Sequence, residues 1–252
     1  MSLSLDLPSF YRLVSRERVA STSDEAKLLA QSGAPAGTLV WARTQSSGRG
    51  RQGRAWISPP GNLYASLILR PAVPVAIAAQ LGFVAALAVG DACLAEASDA
   101  AIAFKWPNDV LVAGRKLAGI LLESQSRADG SLDWLVLGIG LNLATYPVEV
   151  DYPATALSAS GVDAAPEEML AALARTFLRW YERWRDGAGF AAIRGAWLAR
   201  AQGLEQPIRV RLPAAVLDGR FAGLDSDGAL LLDTSAGRRR IASGEVFPAV
   251  AA

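Results

Sequence analysis

The stretch FKWPNDVLVAGRKLAGILLE, residues 104–123, decides the fold of this chain. Two apolar runs, over 109–113 and 115–123, flank the dipeptide Ala113-Gly114, and this pattern predicts a β-hairpin. Lys116 lies early in the second run, between small and apolar neighbours. A lysine in such surroundings is costly to bury unless it meets an anion, and the alternative is an exposed lysine on an edge strand.

Further strands and helices are predicted on both sides of this hairpin from the spacing of apolar residues. The predicted strands cover 39–42, 62–69, 101–104 and 135–141. The predicted helices cover 23–31, 75–97 and 166–184, and the last has Pro166 at its start and one apolar face. Most of the chain therefore reads as a domain in which helices pack on a sheet.

The residues after about Gly203 differ in character, because the helical pattern stops there. Short strands are predicted at 208–212 and 229–232, with turns at Asp218-Gly219 and Asp227-Gly228. About five short strands in such a segment are typical of a small β-barrel. We therefore divide the chain into a domain of residues 1–202 and a second domain of residues 203–252.

The composition excludes several classes of function. Of 252 residues, 52% are hydrophobic, so the chain can bury a core, and a net charge of +1 gives no global sign of a nucleic acid or an anionic membrane. The absence of histidine excludes Ser-His-Asp hydrolysis and the usual zinc sites. Cys93 is the one cysteine, so no intrachain disulfide can form, and a reducing compartment is expected.

The sequence shows no pattern of a signal peptide or of a membrane span. The N-terminal residues MSLSLDLPSFYR lack the basic start and apolar run of a signal peptide. The uncharged segment 71–90 is mostly alanine, and we interpret it as a buried helix rather than a membrane span. We expect a cytoplasmic protein that has no membrane partner.

The charges are nevertheless unevenly distributed along the chain. Residues 26–90 contain no Asp or Glu but six cationic residues, and three of these are arginines of the loop GRGRQGR at 48–54. Glycines expose backbone N–H groups and arginines offer forked donors, so the loop predicts a cradle for a carboxylate or phosphate. It matches neither a P-loop nor a Rossmann fingerprint, and a solvated loop or an RNA-binding segment are the alternatives.

These features combine with several other motifs along the chain. The motifs are Ser21-Thr22, Gln45, GRGRQGRAW (48–56), GNLY (61–64), KWPND (105–109), RKLAGIL (115–121) and GIGLN (138–142). In this order and spacing the chain resembles the biotin protein ligase family, in the short form that lacks an N-terminal DNA-binding domain. The resemblance implies an α+β fold: a class II synthetase-like catalytic domain, with a mixed sheet flanked by helices, and a C-terminal SH3-like β-barrel. Gly244-Glu-Val246 matches the family's usual ending.

The resemblance also implies a two-step reaction. Biotin attacks the α-phosphate of Mg²⁺-bound ATP to give biotinyl-5′-AMP and pyrophosphate, and a lysine of a biotin carboxyl carrier protein or domain, as in acetyl-CoA carboxylase, then takes the biotin. Neither step requires a protein nucleophile, so the lack of histidine is compatible with the reaction. The main difficulty is to bring two anions together, which cationic groups ease.

The resemblance further implies roles for individual residues, and we assign the catalytic roles to Lys116 and Arg51. The expected biotin-binding residues are Ser21, Thr22, Ser23, Gln45, Gly48, Arg49, Gly50, Arg51, Lys116 and Gly119. The expected ATP-binding residues are Arg49, Arg51, Arg54, Trp56, Asn108, Lys116 and Asn142, and Asp109 is the expected metal ligand. Ser23 departs from the family, which often has asparagine there, and this weakens a side-chain role at that position.

Three other interpretations remain open from the sequence. A lipoate-protein ligase or an octanoyltransferase would share the catalytic fold, although the transferase needs a cysteine near its lysine. A non-enzymatic nucleic-acid-binding protein would use the Arg/Gly loop and the barrel, and its binding would fall steeply with salt.

Only twenty residues precede Ser21, so we expect no DNA-binding winged helix. The sequence is compatible with a monomer and with a homodimer.

Overall fold

The computed structural model describes residues 5–97, 100–148, 150 and 152–248. The first four residues of the segment considered for a signal peptide lie outside this part of the chain. The strands are β1 Arg12–Val19, β2 Thr38–Gln45, β3 Leu63–Leu69, β4 Ile102–Lys105, β5 Asp109–Val112, β6 Arg115–Ser126, β7 Leu132–Leu141, β8 Pro207–Arg211, β9 Val216–Leu224, β10 Leu230–Thr234, β11 Gly237–Ile241 and β12 Glu245–Pro248. The α-helices are α1 Thr22–Gln31, α2 Val75–Ala78, α3 Leu81–Glu96, α4 Pro166–Trp184 and α5 Phe190–Leu198.

A seven-stranded mixed sheet forms the larger domain, in the order β1-β2-β3-β7-β6-β5-β4. Only β1 and β2 pair in parallel, and the other neighbours are antiparallel. The helix α1 covers one face, where Ala26 and Ala30 pack on Val40, Ile68 and Val136. The helices α3, α4 and α5 cover the other face. The predicted mixed sheet flanked by helices is therefore confirmed.

The central strand β7 is apolar from Trp134 onward because helices cover both of its faces. Trp134 and Val136 face α1, whereas Leu135 and Leu137 belong to the core on the opposite side. A strand buried on both faces reads as a continuous apolar run rather than as an alternation. The hairpin predicted around Ala113-Gly114 joins β5 to β6, and both turn residues have positive φ angles, of 48° and 75°.

A five-stranded antiparallel sheet forms the C-terminal domain, in the order β11-β10-β9-β8-β12. This arrangement agrees with the expected SH3-like barrel. Trp106 of the larger domain donates its indole N–H to the carbonyl of Gly228, at 3.1 Å. A Cβ at Gly228 would lie only 2.6 Å from the Phe83 ring, so the barrel seats a turn directly on the aromatic core of the larger domain.

Two predictions about individual elements are wrong. The predicted helix 75–97 is divided into α2 and α3, because the hydrogen bonds at 79–80 depart from the α-helical pattern, although both residues keep right-handed helical angles. Buried Gln80 accepts the indole N–H of Trp184 at 2.8 Å at this point. Asp218-Gly219 is not a turn but lies inside β9. A Cβ at Gly219 would come 2.4 Å from the carbonyl oxygen of Asp233, so this glycine serves close strand packing.

The apolar segment Val75–Glu96 is long enough to cross a membrane, but most of it is buried within the protein. Within Leu81–Glu96, the buried side chains include Leu81, Val84, Leu87 and Cys93, which contact the sheet and α4. The prediction of a buried helix is confirmed in this respect. Trp41, Trp184 and Trp197 are almost fully buried and belong to the same core.

Candidate active site

One cavity of about 400 Å³ opens between the two domains on the side of the Arg/Gly loop. Most of the predicted site residues line it, and these are Ser21, Thr22, Ser23, Gln45, Arg49, Gly50, Arg51, Arg54, Trp56, Asn108, Asp109, Lys116 and Gly119. The chain separates these residues widely, but the strand order β2-β3-β7-β6-β5 brings their elements together. The cavity therefore collects cationic and polar groups from across the larger domain.

A polar seat at one end of the cavity is built on the N-terminus of α1. Gln45 Oε1 accepts hydrogen bonds from the Thr22 backbone N–H at 2.8 Å and from Thr22 Oγ1 at 3.1 Å. Gln45 Nε2 donates to Ser58 Oγ at 2.8 Å. Ser66, which the sequence analysis missed, donates to Thr22 Oγ1 at 2.9 Å and lies 3.1 Å from Ser23 Oγ. This network fixes small polar groups that can face the edge of a polar ring.

The floor of the cavity consists of glycines on β6 and β7. Gly119 and Gly140 are partners across the two strands, and Gly138 lies two residues before Gly140. A Cβ at Gly140 would lie 2.4 Å from the Trp56 indole, and one at Gly138 would lie 2.6 Å from Ser23 Oγ. The glycines therefore leave room for side chains and ligand where any other residue would fill the space.

Lys116 points into the cavity from the start of β6. Its ammonium lies 2.7 Å from Asp109 Oδ1 without hydrogen-bond geometry, and the Asp109 oxygen has no other hydrogen-bond partner among the described residues. Lys105 Nζ lies 3.1 Å from the second oxygen of Asp109. The rings of Trp56 and Tyr152 flank the Lys116 ammonium at 5.6 and 5.0 Å. Because an ammonium has three N–H donors, Lys116 can contact Asp109 and still donate to an anion in the cavity.

The Arg/Gly loop forms a tight turn that faces this lysine. Trp56 N donates to the Gly48 carbonyl and Gly50 N to the Arg54 carbonyl, both at 2.8 Å. Arg51 Nη1 donates to Asn108 Oδ1 at 3.3 Å, and Asn108 in turn donates to the carbonyl of Ile120 at 2.8 Å. Burial lowers the pKa of the Arg51 guanidinium from its ordinary value. Because the ordinary value for arginine lies far above neutral pH, Arg51 is still a cation there.

The lysines and arginines that line this cavity contact several carboxylates, and none of these carboxylates lies in the acid-free segment 26–90. Asp24 and Glu123 contact Arg49, Glu245 contacts Arg54, and Asp109 contacts both lysines. Among the described residues, Arg51 has no carboxylate within 4.0 Å. Arg51 is therefore the loop arginine whose charge is most available to a ligand.

Two predicted site residues do not line the cavity. The Asn142 side chain is buried and donates to the carbonyl of Thr155 at 3.0 Å, so it holds a loop rather than facing a ligand. A Cβ at Gly48 would lie 2.4 Å from the Trp56 carbonyl, so Gly48 allows the base of the loop to close. Their roles in binding, as we assigned them, find no geometric support.

Several residues that line the cavity were not predicted from the sequence. Tyr152 lies in the segment between β7 and α4, and the C-terminal barrel supplies Arg211 and the segment 245–247. Glu245 Oε2 lies 4.0 Å from Arg211 Nη1, and its other oxygen contacts Arg54. The match of Gly244-Glu-Val246 to a family ending was the one signal in the sequence for this contribution.

The described residues contain no group of three or more His, Cys, Asp or Glu that could hold a metal by themselves. Of the two carboxylates in the described lining, Glu245 pairs with Arg54 and Arg211, so Asp109 is the candidate metal ligand. A Mg²⁺ ion commonly binds one or two carboxylates together with substrate phosphates and water. The residues present therefore fit a Mg²⁺ ion that enters with a nucleotide, but not a metal held by the protein alone.

Cys93 is fully buried in α3 and does not line the cavity. Burial raises the pKa of its thiol to about 12, so it remains neutral and unreactive at neutral pH. We expect iodoacetamide to leave the folded protein unlabelled and to label it fully in guanidinium chloride, as mass spectrometry would show. Rapid labelling of the folded protein would instead restore the cysteine-dependent transferase as a candidate.

Comparisons with known proteins agree with this geometry. The model of the biotin/lipoate A/B protein ligase family matches residues 15–142, and that of the biotin protein ligase C-terminal domain matches residues 203–247. The chain is 47% identical over 237 residues to the biotin–[acetyl-CoA-carboxylase] ligase of Paracoccus denitrificans, which covers 91% of this chain and 98% of the relative. It is 36% identical over 239 residues to the bifunctional ligase/repressor of Bacillus subtilis, covering 93% of this chain and 73% of the relative.

A similar solved structure is the biotin protein ligase from Aquifex aeolicus in complex with biotin and ATP. Its TM-score is 0.80 at 29% sequence identity, and the match covers 94% of this chain and 97% of that chain. The likeness therefore extends over the larger domain and the barrel together.

Proposed function

Since the chain belongs to the biotin/lipoate A/B protein ligase family, we propose that its cavity joins biotin to ATP and then passes biotin to a carrier lysine. The biotin carboxylate attacks the α-phosphorus of ATP, which expels pyrophosphate and leaves biotinyl-5′-AMP. The carrier amine then attacks the acyl carbon, loses a proton and expels AMP. The chain is thus a biotin–[biotin carboxyl carrier protein] ligase.

The observation that carries this proposal is that one cavity contains both groups suited to biotin and groups suited to ATP. The polar seat around Thr22 and Gln45 suits the N–H and C=O groups of the ureido ring, while Lys116 and Arg51 suit a carboxylate and a phosphate. Cations placed where negative charge develops lower the barrier of such a condensation. Holding the two reactants side by side supplies the rest of the rate enhancement.

Magnesium is part of the proposal, since ATP brings it to the cavity. Asp109 is the residue that would hold Mg²⁺, and the ion would neutralise charge on the triphosphate when bound. The side chains of Lys105 and Lys116 already flank this carboxylate, so both lysines and Asp109 face the same phosphate groups. The protein's own part is to orient the phosphates toward the biotin carboxylate.

The proposed partner is a biotin carboxyl carrier protein or domain of acetyl-CoA carboxylase or a related carboxylase, whose lysine enters at the mouth of the cavity. The reaction itself involves neither DNA nor a membrane. We propose that it takes place in the cytoplasm, where ATP and such carboxylases occur together. Either a monomer or a homodimer can perform it, because all the lining residues named above belong to one chain.

The choice between biotin and lipoate has a direct test. We expect biotin with Mg²⁺ and ATP to yield pyrophosphate, and lipoate to yield little, because a seat of four polar side chains is poorly matched to an apolar acyl chain. The measurement is coupled pyrophosphate detection with each acid alone and then with a carrier domain, followed by mass spectrometry of the carrier. A preference for lipoate, or no turnover with either acid, would contradict the proposal.

A further inference from the structure

Four charged side chains form a cluster at the base of the Arg/Gly loop, just outside the reacting groups. Asp24 lies in the first turn of α1, Lys27 one turn later, Arg49 in the loop and Glu123 on β6. Arg49 Nη2 lies 2.7 Å from Asp24 Oδ1 and 3.0 Å from Glu123 Oε1. Lys27 Nζ lies 2.8 and 2.9 Å from the same two oxygens.

Each carboxylate therefore serves a lysine and an arginine at once. Burial by itself lowers the pKa of the Lys27 ammonium, but the hydrogen bonds to Asp24 and Glu123 outweigh it, so the pKa is raised. Isolated ion pairs at a protein surface contribute little, but a network of paired charges on three elements is stronger. The Arg49 side chain in this cluster is 38% exposed, so solvent screens it only in part.

The rest of the loop has few attachments to the protein body. Its three internal backbone hydrogen bonds shape the turn but do not anchor it. Beyond Arg49, the loop contacts the body through the Arg51–Asn108 hydrogen bond, the Arg54–Glu245 ion pair and the packing of Trp56. Ligand binding needs Arg51 and Trp56 to face the reactants, so Arg49 is the attachment that can stay in place throughout the reaction.

We propose that Asp24 and Glu123 are positioning residues that latch the Arg/Gly loop over the cavity through Arg49. In this assignment Arg49 does not bind the anion itself, because two carboxylates already occupy its guanidinium. The latch holds Arg51 over the acyl adenylate between the two steps and so limits its escape. This inference rests on the proposed function, but its first test does not.

The first test follows cleavage of the loop by trypsin in the ligand-free, full-length protein. The variant Glu123→Gln keeps every arginine of the loop, so the cleavage sites are unchanged. We expect cleavage within 49–54 to become about three- to tenfold faster, as the loss of one paired charge in a network allows. The matched control is Asp218→Asn, which breaks an exposed ion pair with Arg209 on the barrel. Equal cleavage rates in wild type and Glu123→Gln would overturn the latch.

The second test measures escape of the intermediate as the ratio of biotin on bystander lysines to pyrophosphate released. We expect Glu123→Gln and Arg49→Met each to raise this ratio severalfold with a similar melting temperature, and Glu123→Gln to change pyrophosphate release little. Because the two residues act through each other, the double variant is expected to leak no more than the leakier single variant. Additive effects, or an unchanged ratio, would contradict the latch. If wild type releases no pyrophosphate, the proposed function fails, whereas the trypsin result still decides the latch.

Discussion

Replacing Lys116 by alanine is expected to slow pyrophosphate release from biotin and ATP by roughly 10²- to 10³-fold, the usual cost of removing one preorganised donor. The ammonium lies in the cavity between the Trp56 and Tyr152 rings, where it can contact an anion directly. Its loss also leaves the buried Asp109 carboxylate with one ion-pair partner fewer, since Lys105 remains. The remaining negative charge then repels both reactants.

The control for this variant is transfer from chemically prepared biotinyl-5′-AMP to the carrier domain. That half-reaction starts after the two anions have been joined, so we expect it to fall much less than adenylation. A thermal melt checks that the fold is intact. Near-normal pyrophosphate release by a folded Lys116→Ala protein would remove Lys116 from the reaction.

Replacing Arg51 by glycine is expected to release biotinyl-5′-AMP before transfer and to label bystander lysines. Hydrogen bonds to charged groups contribute about 1.5–3 kcal/mol, so retention of the intermediate is expected to fall by roughly 10- to 100-fold. Arg51 is poised for this role because its one side-chain partner is the neutral Asn108 amide. The measurement is the dissociation rate of radiolabelled biotinyl-5′-AMP, read together with the biotin found on added albumin.

The matched control is Arg54→Gly, which makes the same change three residues further along the loop. Arg54 already contacts the Glu245 carboxylate, so its loss is expected to release the intermediate less than the loss of Arg51 does. Unchanged retention in Arg51→Gly would contradict the assignment. Equal leakage from the two variants would mean that loop flexibility, rather than the Arg51 charge, controls retention.

The motifs in the sequence were enough to place most of the cavity, because each motif contributes backbone shape as well as side chains. Gly119 and Lys116 lie on the same strand, and their direction follows from the hairpin. The direction of Asn142 could not be predicted in this way. It follows the last residue of β7, where the chain leaves the sheet and side-chain direction depends on the next loop.

The pairing of the charged side chains could likewise be predicted only in part from the sequence. Residues 26–90 contain no acid, and this pattern led to the prediction of an anion cradle. The tertiary fold brings Asp24, Asp109, Glu123 and Glu245 to the same arginines and lysines, from elements before and after this segment. Pairing across such distances depends on the strand order, which local patterns do not contain.

Two elements had too weak a pattern to be predicted. The edge strand β1 exposes most of its side chains and lacks apolar alternation, since only one neighbouring strand covers it. The short helix α5 contains Gly195 and begins after Gly189, and both residues are poor helix formers. The tertiary packing of Phe190, Ile193 and Trp197 stabilises this helix.

The barrel wall of the cavity has a consequence for biosynthesis. Glu245, Val246 and Phe247 lie on β12, which pairs with β8 at the edge of the barrel sheet. Domains generally fold in N-terminal to C-terminal order while the ribosome is still extending the chain. A nascent chain that has already folded its larger domain thus has an open-sided cavity, and it gains full competence only after residue 247 has emerged from the exit tunnel.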